Sequence, residues 1–131
     1  MIEITNSPIN LNTIFNRLKK DNSGSIVIHD AIVRKTESGK NTHSIVFELE
    51  GDAEGEMREL ERSLLEKWPV EDVLLIRRTG NLSIGDVISV AAASAEHRNA
   101  AFGLCQEAVN GFKKMRCFKK DEVFEKKEET L

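Results

Sequence analysis

Apolar residues recur at intervals of three and four in three stretches of the chain, which is the spacing of one helix face. The first predicted helix is capped by Asn12 and includes Ile14 and Leu18 on its apolar face. The second covers 56–68 and ends before Pro69, because the residue before a proline disfavours helical dihedral angles. The third and longest covers 96 to about 116.

Strands are predicted where β-branched and apolar residues alternate or form short runs. They cover 1–4, 25–34, 42–50, 72–77 and 87–93. The polar stretch 35–41 is predicted to be a loop, and turns are predicted at 80–81 and 85–86. Strands and helices alternate irregularly, so the predicted class is α+β. We expect one domain over 1–122, followed by a charged tail at 123–131. The chain is expected to be charged and to fray from Asp121 onward.

Composition narrows the functional classes. With 131 residues, of which 40% are hydrophobic, the chain is the size of one globular domain. Its 22 acids and 19 bases give a net charge of −3, which argues against a general nucleic-acid binder. There is no apolar run long enough for a membrane span and no visible secretory signal. Two cysteines are too few for a disulfide framework, so a cytoplasmic location is predicted.

Charged residues are concentrated in two segments. Residues 48–61 contain seven acids and one base, and residues 113–120 contain five bases and no acid. Either segment could simply be a solvated face. The alternative for the basic segment is an anion pocket in which a lysine also offers a titratable amine. The five bases are Lys113, Lys114, Arg116, Lys119 and Lys120.

His97 and Arg98 form a second candidate cluster, at the predicted start of the longest helix. Helix N-termini attract anions, and these two side chains would add directional donors; the alternative is a surface pair with no ligand. His97 and Lys113 are sixteen residues apart, which is roughly 24 Å along a straight helix. Two sites, or one site shared across a homodimer, are therefore the open possibilities.

Five stretches, taken in order, resemble the large, catalytic subunit of the molybdopterin synthase family. No single stretch is specific, but the ordered set covers residues 1 to about 122. The stretches are Gly24-Ser25-Ile26-Val27 leading to Val33-Arg34; Lys67-Trp68-Pro69; Ile76-Arg77-Arg78-Thr79-Gly80-Asn81-Leu82 with Gly85-Asp86; Glu96-His97-Arg98-Asn99-Ala100-Ala101-Phe102; and Lys113 with Phe118-Lys119-Lys120-Asp121-Glu122.

The resemblance implies an α/β-hammerhead type of α+β domain, with a mixed or antiparallel sheet and a long C-terminal helix. It also implies a homodimer with a ubiquitin-like small subunit docked at each end, giving a heterotetramer. The small subunit's C-terminal Gly-Gly thiocarboxylate would supply the sulfur that converts cyclic pyranopterin monophosphate into molybdopterin. The family needs neither a metal nor another cofactor in this step.

The same resemblance assigns roles to residues of the charged clusters. Lys120 matches the family's essential lysine and Lys113 its helix lysine. Arg34, His97 and Arg98 match the substrate's anion pocket, in which the family takes its His-Arg pair from the neighbouring protomer. Arg116 and Lys119 are further candidate substrate-binding residues. Neighbouring cations would disfavour the ammonium form of Lys120 and so favour its amine as a base or nucleophile.

Several positions depart from the family pattern. Arg77 stands in place of a histidine, and Cys117 and Lys119 stand in place of a proline and a tryptophan. The segment 49–52 adds acids to a turn, and 123–131 does not resemble the family's ending. Two interpretations stay open. One is an active synthase subunit; the other is a paralogue that serves as a dimeric binding module for a phosphorylated pterin or for a ubiquitin-like small subunit.

The two cysteines differ in their predicted environments. Cys117 lies among bases, which would lower the pKa of its thiol and raise its reactivity. We nevertheless interpret it as a small residue at a variable position. Cys105 is predicted to be a core residue of the longest helix. The histidines show no metal-ligand spacing, so no zinc site is predicted.

Overall fold

The computed structural model describes residues 1–37 and 39–124. Within these ranges the chain forms eight strands and three helices. In order they are β1 (Ile2–Thr5), α1 (Leu11–Leu18), β2 (Ser25–Ile32), β3 (Thr36–Glu37), β4 (Lys40–Leu49), α2 (Ala53–Lys67), β5 (Asp72–Arg78), β6 (Gly80–Leu82), β7 (Val87–Ala95), α3 (Arg98–Lys114) and β8 (Phe118–Phe124).

The larger sheet has the strand order β1-β5-β7-β2. Strand β1 is parallel to β5, and the other neighbours are antiparallel. Alternate side chains of a strand point to opposite faces, so Leu74 and Ile76 pack with α1, whereas Val73 and Leu75 pack with α2 and α3. Burying both faces explains why β5 and β7 are almost continuously apolar.

The second sheet is organised around β4, which pairs with β3, β6 and β8, in each case antiparallel. Phe47 lies opposite Gly80 on β6 and opposite Lys120 on β8. Its side chain is buried with Val33, Ile45 and Leu82 in a separate small core. This sheet therefore carries the C-terminal basic segment on a fixed register.

All three predicted helix starts differ from the observed ones, and α3 begins at Arg98 rather than at Glu96. Helix α1 is capped by Asn10, not Asn12, because the Asn10 side chain accepts hydrogen bonds from the amides of Asn12 and Thr13. Helix α2 begins at Ala53, because the Asp52 carboxylate accepts a 2.9 Å hydrogen bond from the Gly55 amide. A local cap thus extends α2 toward the acidic segment.

The longest helix is α3, whose 17 residues follow the cap position His97. Ala100, Ala101, Leu104, Cys105, Ala108 and Phe112 form its buried face. The Trp68 ring packs where a Cβ of Gly103 would lie, so a glycine is required at that point of α3. No helix among residues 1–37 and 39–124 is long and apolar enough to cross a membrane.

The predicted α+β class and the long C-terminal helix are confirmed, but three short elements were missed. The predicted turn at 80–81 is part of β6, and the predicted loop 35–41 contains β3 and the start of β4. The segment expected to fray from Asp121 is a strand, in which Val123 and Phe124 pair with Ser44 and Thr42. Residues 125–131 of the predicted tail lie outside the described residues, and the single-domain division stays a prediction.

Candidate functional site

The predicted cationic residues lie at the two ends of α3. Lys113 is in its last turn, whereas Arg98 is its first residue and His97 its cap. The axial distance between these ends is about 24 Å. One protomer therefore presents two separate clusters, as the spacing along the chain indicated.

The C-terminal cluster begins where α3 turns into β8. The Glu56 carboxylate of α2 accepts hydrogen bonds from the amides of Arg116, at 2.8 Å, and Cys117, at 3.1 Å. The Glu50 amide donates to the Cys117 carbonyl at 2.9 Å. Charge-assisted bonds of this kind are stronger than neutral ones, so the turn that leads to Lys120 is held at several points.

Lys119 and Lys120 are neighbours in sequence but point to opposite faces of β8. Lys119 forms a 2.7 Å ion pair with Glu50, and this hydrogen bond and the carboxylate's charge raise the pKa of Lys119. The Lys120 amine lies 3.6 Å from a Glu122 oxygen, and nearly half of its side chain is exposed. Glu122 also accepts a 2.6 Å hydrogen bond from the Thr42 hydroxyl. The expected crowding of Lys120 by Lys119 is therefore not the arrangement found.

Lys120 lies on the inner face of β8, with Phe118 two residues before it and Phe47 directly across on β4. Both phenylalanines are buried. The amine is thus presented at the border between an apolar core and solvent. An amine at this border can be held in place by the neighbouring core residues and still contact a ligand.

Arg34 follows β2 and is exposed. The preceding residue is fixed on both sides, since the Val33 amide donates to the Asp86 carbonyl and the Gly85 amide donates to the Val33 carbonyl, both at 3.0 Å. Arg78 strengthens the same turn through a 3.4 Å ion pair with Asp86. The turn predicted at 85–86 therefore anchors the backbone at Arg34.

His97 and Arg98 are exposed at the other end of α3. The His97 ring lies 3.8 Å from a Glu96 carboxylate oxygen, and 84% of its side chain is accessible. The length of α3 separates this pair from Lys113, which lies in the last turn of the same helix.

Arg77 is a central residue that the sequence did not identify. It is 7% exposed, on the face of β5 that contacts the end of α3 and the start of β8. Its guanidinium lies over the rings of Phe47, Phe112 and Phe118, with Cζ to ring-centroid distances of 5.9, 5.3 and 4.2 Å. Burial lowers the pKa of Arg77 to about 10, and the Glu56 charge opposes that shift. The departure from histidine was the available signal, but it gave no indication of burial.

Cys117 does not have the lowered pKa that its basic sequence neighbours suggested. Desolvation raises the pKa of this thiol, and the carboxylates of Glu56, Asp52 and Glu50 raise it further. Cys105 is buried, as predicted, and burial raises its pKa to about 12. Neither thiol is therefore an activated nucleophile in this fold.

The acidic segment is more than a solvated face. Asp52 caps α2, Glu50 pairs with Lys119, and Glu56 binds the turn before β8. Its remaining acids on α2 include Glu54, which forms a helix-surface pair with Arg58. Through Glu50 and Glu56, the acidic segment therefore fixes the position of the basic segment.

No group of three or more His, Cys, Asp or Glu side chains among the described residues is placed to hold a metal ion.

The family comparison identifies a match over most of the chain. Residues 4–115 match the model of the MoaE protein family. The chain is similar to the molybdopterin synthase catalytic subunit of Bacillus subtilis (strain 168), with 30% identity over 130 residues, covering 98% of this chain and 83% of that protein.

Solved structures agree with this match. The crystal structure of molybdopterin synthase from Staphylococcus aureus superimposes with a TM-score of 0.86 at 26% identity, covering 94% of this chain and 90% of that one. A chain from the complex of subunits 1 and 2 of molybdopterin-converting factor of Helicobacter pylori 26695 gives a TM-score of 0.76 at 15% identity, covering 94% and 84%. The second likeness is one of fold alone.

Proposed function

Because the chain belongs to the MoaE protein family, we propose that it is the catalytic subunit of a molybdopterin synthase. The reaction moves sulfur from the thiocarboxylate of a small partner subunit to cyclic pyranopterin monophosphate, and builds the dithiolene of molybdopterin. The observation that carries the proposal is the family match over residues 4–115, which includes His97, Arg98 and Lys113 and ends five residues before Lys120.

The proposed partner is a ubiquitin-like small subunit with a C-terminal Gly-Gly thiocarboxylate. A chain of the two-subunit complex from Helicobacter pylori has the same fold as this chain, which supports a second subunit as partner. We also propose that two copies of this chain form the centre of a heterotetramer. A location in the cytoplasm follows as a further proposal, in keeping with two free thiols, Cys105 and Cys117.

We assign the chemistry of sulfur transfer to the C-terminal cluster. The Lys120 amine, held at the border of the core, is the base or nucleophile, and Lys113 is its partner from the end of α3. Once the thiocarboxylate sulfur is bonded to the pterin, addition of water to the thioester carbonyl gives an anionic tetrahedral species, which fixed positive charges stabilise. Its C–S bond then breaks, which leaves the sulfur on the pterin and a carboxylate on the small subunit. Arg116 supplies one such positive charge, and Lys119, which pairs with Glu50 on the outer face of β8, would add a weaker one on release from that pair.

Substrate binding is assigned to Arg34 together with His97 and Arg98. The pterin precursor carries a phosphate, and arginine binds phosphate with parallel hydrogen bonds. Because about 24 Å of helix separates His97 from Lys113, we propose that the His97-Arg98 pair of one protomer completes the site of its partner. An isologous dimer would then contain two equivalent composite sites.

A single-turnover assay tests the proposed reaction. The protein is mixed with thiocarboxylated small subunit and cyclic pyranopterin monophosphate, and molybdopterin formation is followed. We expect product with the wild type and a loss of at least about a hundredfold in rate with Lys120→Ala. Absence of product from a folded dimer that still binds the small subunit would contradict the proposal and favour the non-catalytic binding module.

A mixing experiment tests the shared site. Lys120→Ala and His97→Ala/Arg98→Ala proteins are each expected to be inactive alone. After subunit exchange at equal amounts, half of the dimers are hybrids with one intact site of two, so activity should return to about a quarter of the wild-type value. Exchange that is complete by mass spectrometry but restores no activity would contradict a shared site.

A further inference from the structure

We propose that Arg77 is a positioning residue that fixes Lys113 and Lys120 relative to each other. The inference deepens the proposed function, since those two lysines are its candidate catalytic residues. Arg77 lies on β5, beneath the point where α3 ends and β8 begins. Its side chain contacts Phe112, which precedes Lys113, and the rings of Phe118 and Phe47 beside Lys120, and it is 7% exposed.

The first contact is with the end of α3. Arg77 Nη1 donates a 2.9 Å hydrogen bond to the carbonyl of Phe112, the residue that precedes Lys113. The same carbonyl accepts a 3.3 Å hydrogen bond from the Met115 amide, so the guanidinium adds a second donor at the end of the helix. Nη1 also lies 3.6 Å from the Met115 sulfur, just beyond the helix. Arg77 is therefore bonded to the backbone at the end of α3, one residue before Lys113.

The second contact is with the strand that carries Lys120. The Arg77 Cζ lies 4.2 Å from the ring centroid of Phe118, which precedes Lys120 by two residues on the same face of β8. It also lies 5.9 Å from the ring centroid of Phe47, the cross-strand neighbour of Lys120. A cation over these two rings holds them at a fixed separation from the end of α3.

The position is costly for an arginine. The side chain is almost fully buried, and its Nε has no hydrogen-bond partner among the described residues. A buried cation with an unused donor destabilises a fold unless other contacts compensate. Here the compensation comes from the Phe112 carbonyl and the three rings, which belong to three separate elements. The guanidinium thus joins α3, β4 and β8 at one point.

Three variants test the proposal by kinetics. Arg77→Met keeps most of the side-chain volume but removes the charge and the donor, and Arg77→Lys restores a charge and a donor. Leu74→Ala is the matched control, because it truncates a buried residue of the same strand on the opposite, α1-facing side. Each is assayed in the complex with thiocarboxylated small subunit, below its unfolding temperature and corrected for folded fraction.

We expect Arg77→Met to lower the single-turnover rate constant at least about tenfold, since a misplacement of about 1 Å has effects of this size or larger. The substrate concentration for half-maximal rate should change less than about twofold. Arg77→Lys should recover most of the lost rate. Equal corrected losses for Arg77→Met and Leu74→Ala, or no rescue by lysine, would overturn a positioning role.

A spectroscopic measurement separates this proposal from the proposed function. Lysines are labelled with carbon-13 methyl groups, and their NMR signals are assigned with Lys113→Arg and Lys120→Arg. Arg77→Met should shift the signals of Lys113 and Lys120 while leaving that of Lys67, paired with Glu107, unchanged. These shifts do not require turnover, so an inactive wild type would reject the synthase function alone. Unshifted Lys113 and Lys120 signals would reject the positioning role.

Discussion

The Glu56 carboxylate lies 2.8 Å from the backbone nitrogen of Arg116, sixty residues away in the chain. This bond joins the first turn of α2 to the segment between α3 and β8. The geometry of the C-terminal cluster therefore depends on an acidic helix that contributes no cation of its own to the proposed site. Variants of α2 should consequently affect both stability and chemistry.

We expect Glu56→Ala to lower the free energy of unfolding by about 1–3 kcal/mol, because two amides lose a carboxylate acceptor. Glu56→Gln, which keeps one acceptor oxygen, should lose less. The measurement is chemical denaturation followed by circular dichroism. Glu54→Ala is the control, since Glu54 pairs with Arg58 on the helix surface and should change stability by less than about 0.5 kcal/mol. Equal losses at 54 and 56 would contradict the anchoring role.

The two adjacent lysines of β8 should differ sharply in mutagenesis. Lys119→Ala removes the ion pair with Glu50 from the outer face of β8, and we expect less than a fivefold loss in single-turnover rate. Lys120→Ala removes the inner-face amine, and a loss of at least about a hundredfold is expected. Similar losses for the two variants in the same assay would show that the face of the strand does not decide their roles.

Cys117 should react slowly with iodoacetamide at neutral pH. Desolvation and nearby carboxylates raise the pKa of its thiol, so the thiolate forms at higher pH than in an unfolded peptide. The alkylation rate, followed by mass spectrometry, should rise through a midpoint above 9.0, the ordinary value for the group. Glu50→Gln should move this midpoint downward. A midpoint below the ordinary value would restore the activated-thiol interpretation.

Stability should fall in acid partly because of Glu107. Hydrogen bonds from Lys67, at 2.5 Å, and Trp68, at 2.9 Å, lower the pKa of Glu107. Because the pKa of Glu107 is lowered in the folded state, its contribution to stability is complete above about pH 4.5. This contribution is lost as the pH falls through the pKa that Glu107 has in the folded protein. Because the side chain is partly exposed, the effect should be below about 1 kcal/mol. Glu107→Gln should flatten the acid limb of the pH–stability curve, and an unchanged slope would contradict the assignment.

Sequence patterns predicted the elements whose apolar residues have helical spacing or form a continuous run. Helices α2 and α3 follow from apolar spacing, and β5 and β7 follow from continuous apolar runs. Strand β8 was missed because its sequence, with Lys119, Lys120 and Asp121 in a row, has no strand pattern. It is a strand because it pairs with the edge of β4, about seventy to eighty residues earlier in the chain.

The candidate site was predictable in its residue types but not in its connections. The clusters at both ends of α3 could be read from charge and spacing. Burial of Arg77, however, depends on three phenylalanines from separate elements, and the contact of Glu56 with Arg116 joins distant segments. No local pattern reports such contacts. Likewise, the pKa of Cys117 follows its spatial neighbours rather than its sequence neighbours.

The register of β8 against β4 determines which of the two lysines lies on the inner face. Because side chains alternate along a strand, moving β8 by one residue against β4 would turn Lys119 inward and Lys120 outward. Deleting one residue between Arg116 and Lys119 would therefore exchange the faces to which the two lysines point, without removing any charged residue. The length of the segment between Arg116 and Lys119 should consequently matter for activity as much as the presence of Lys120 itself.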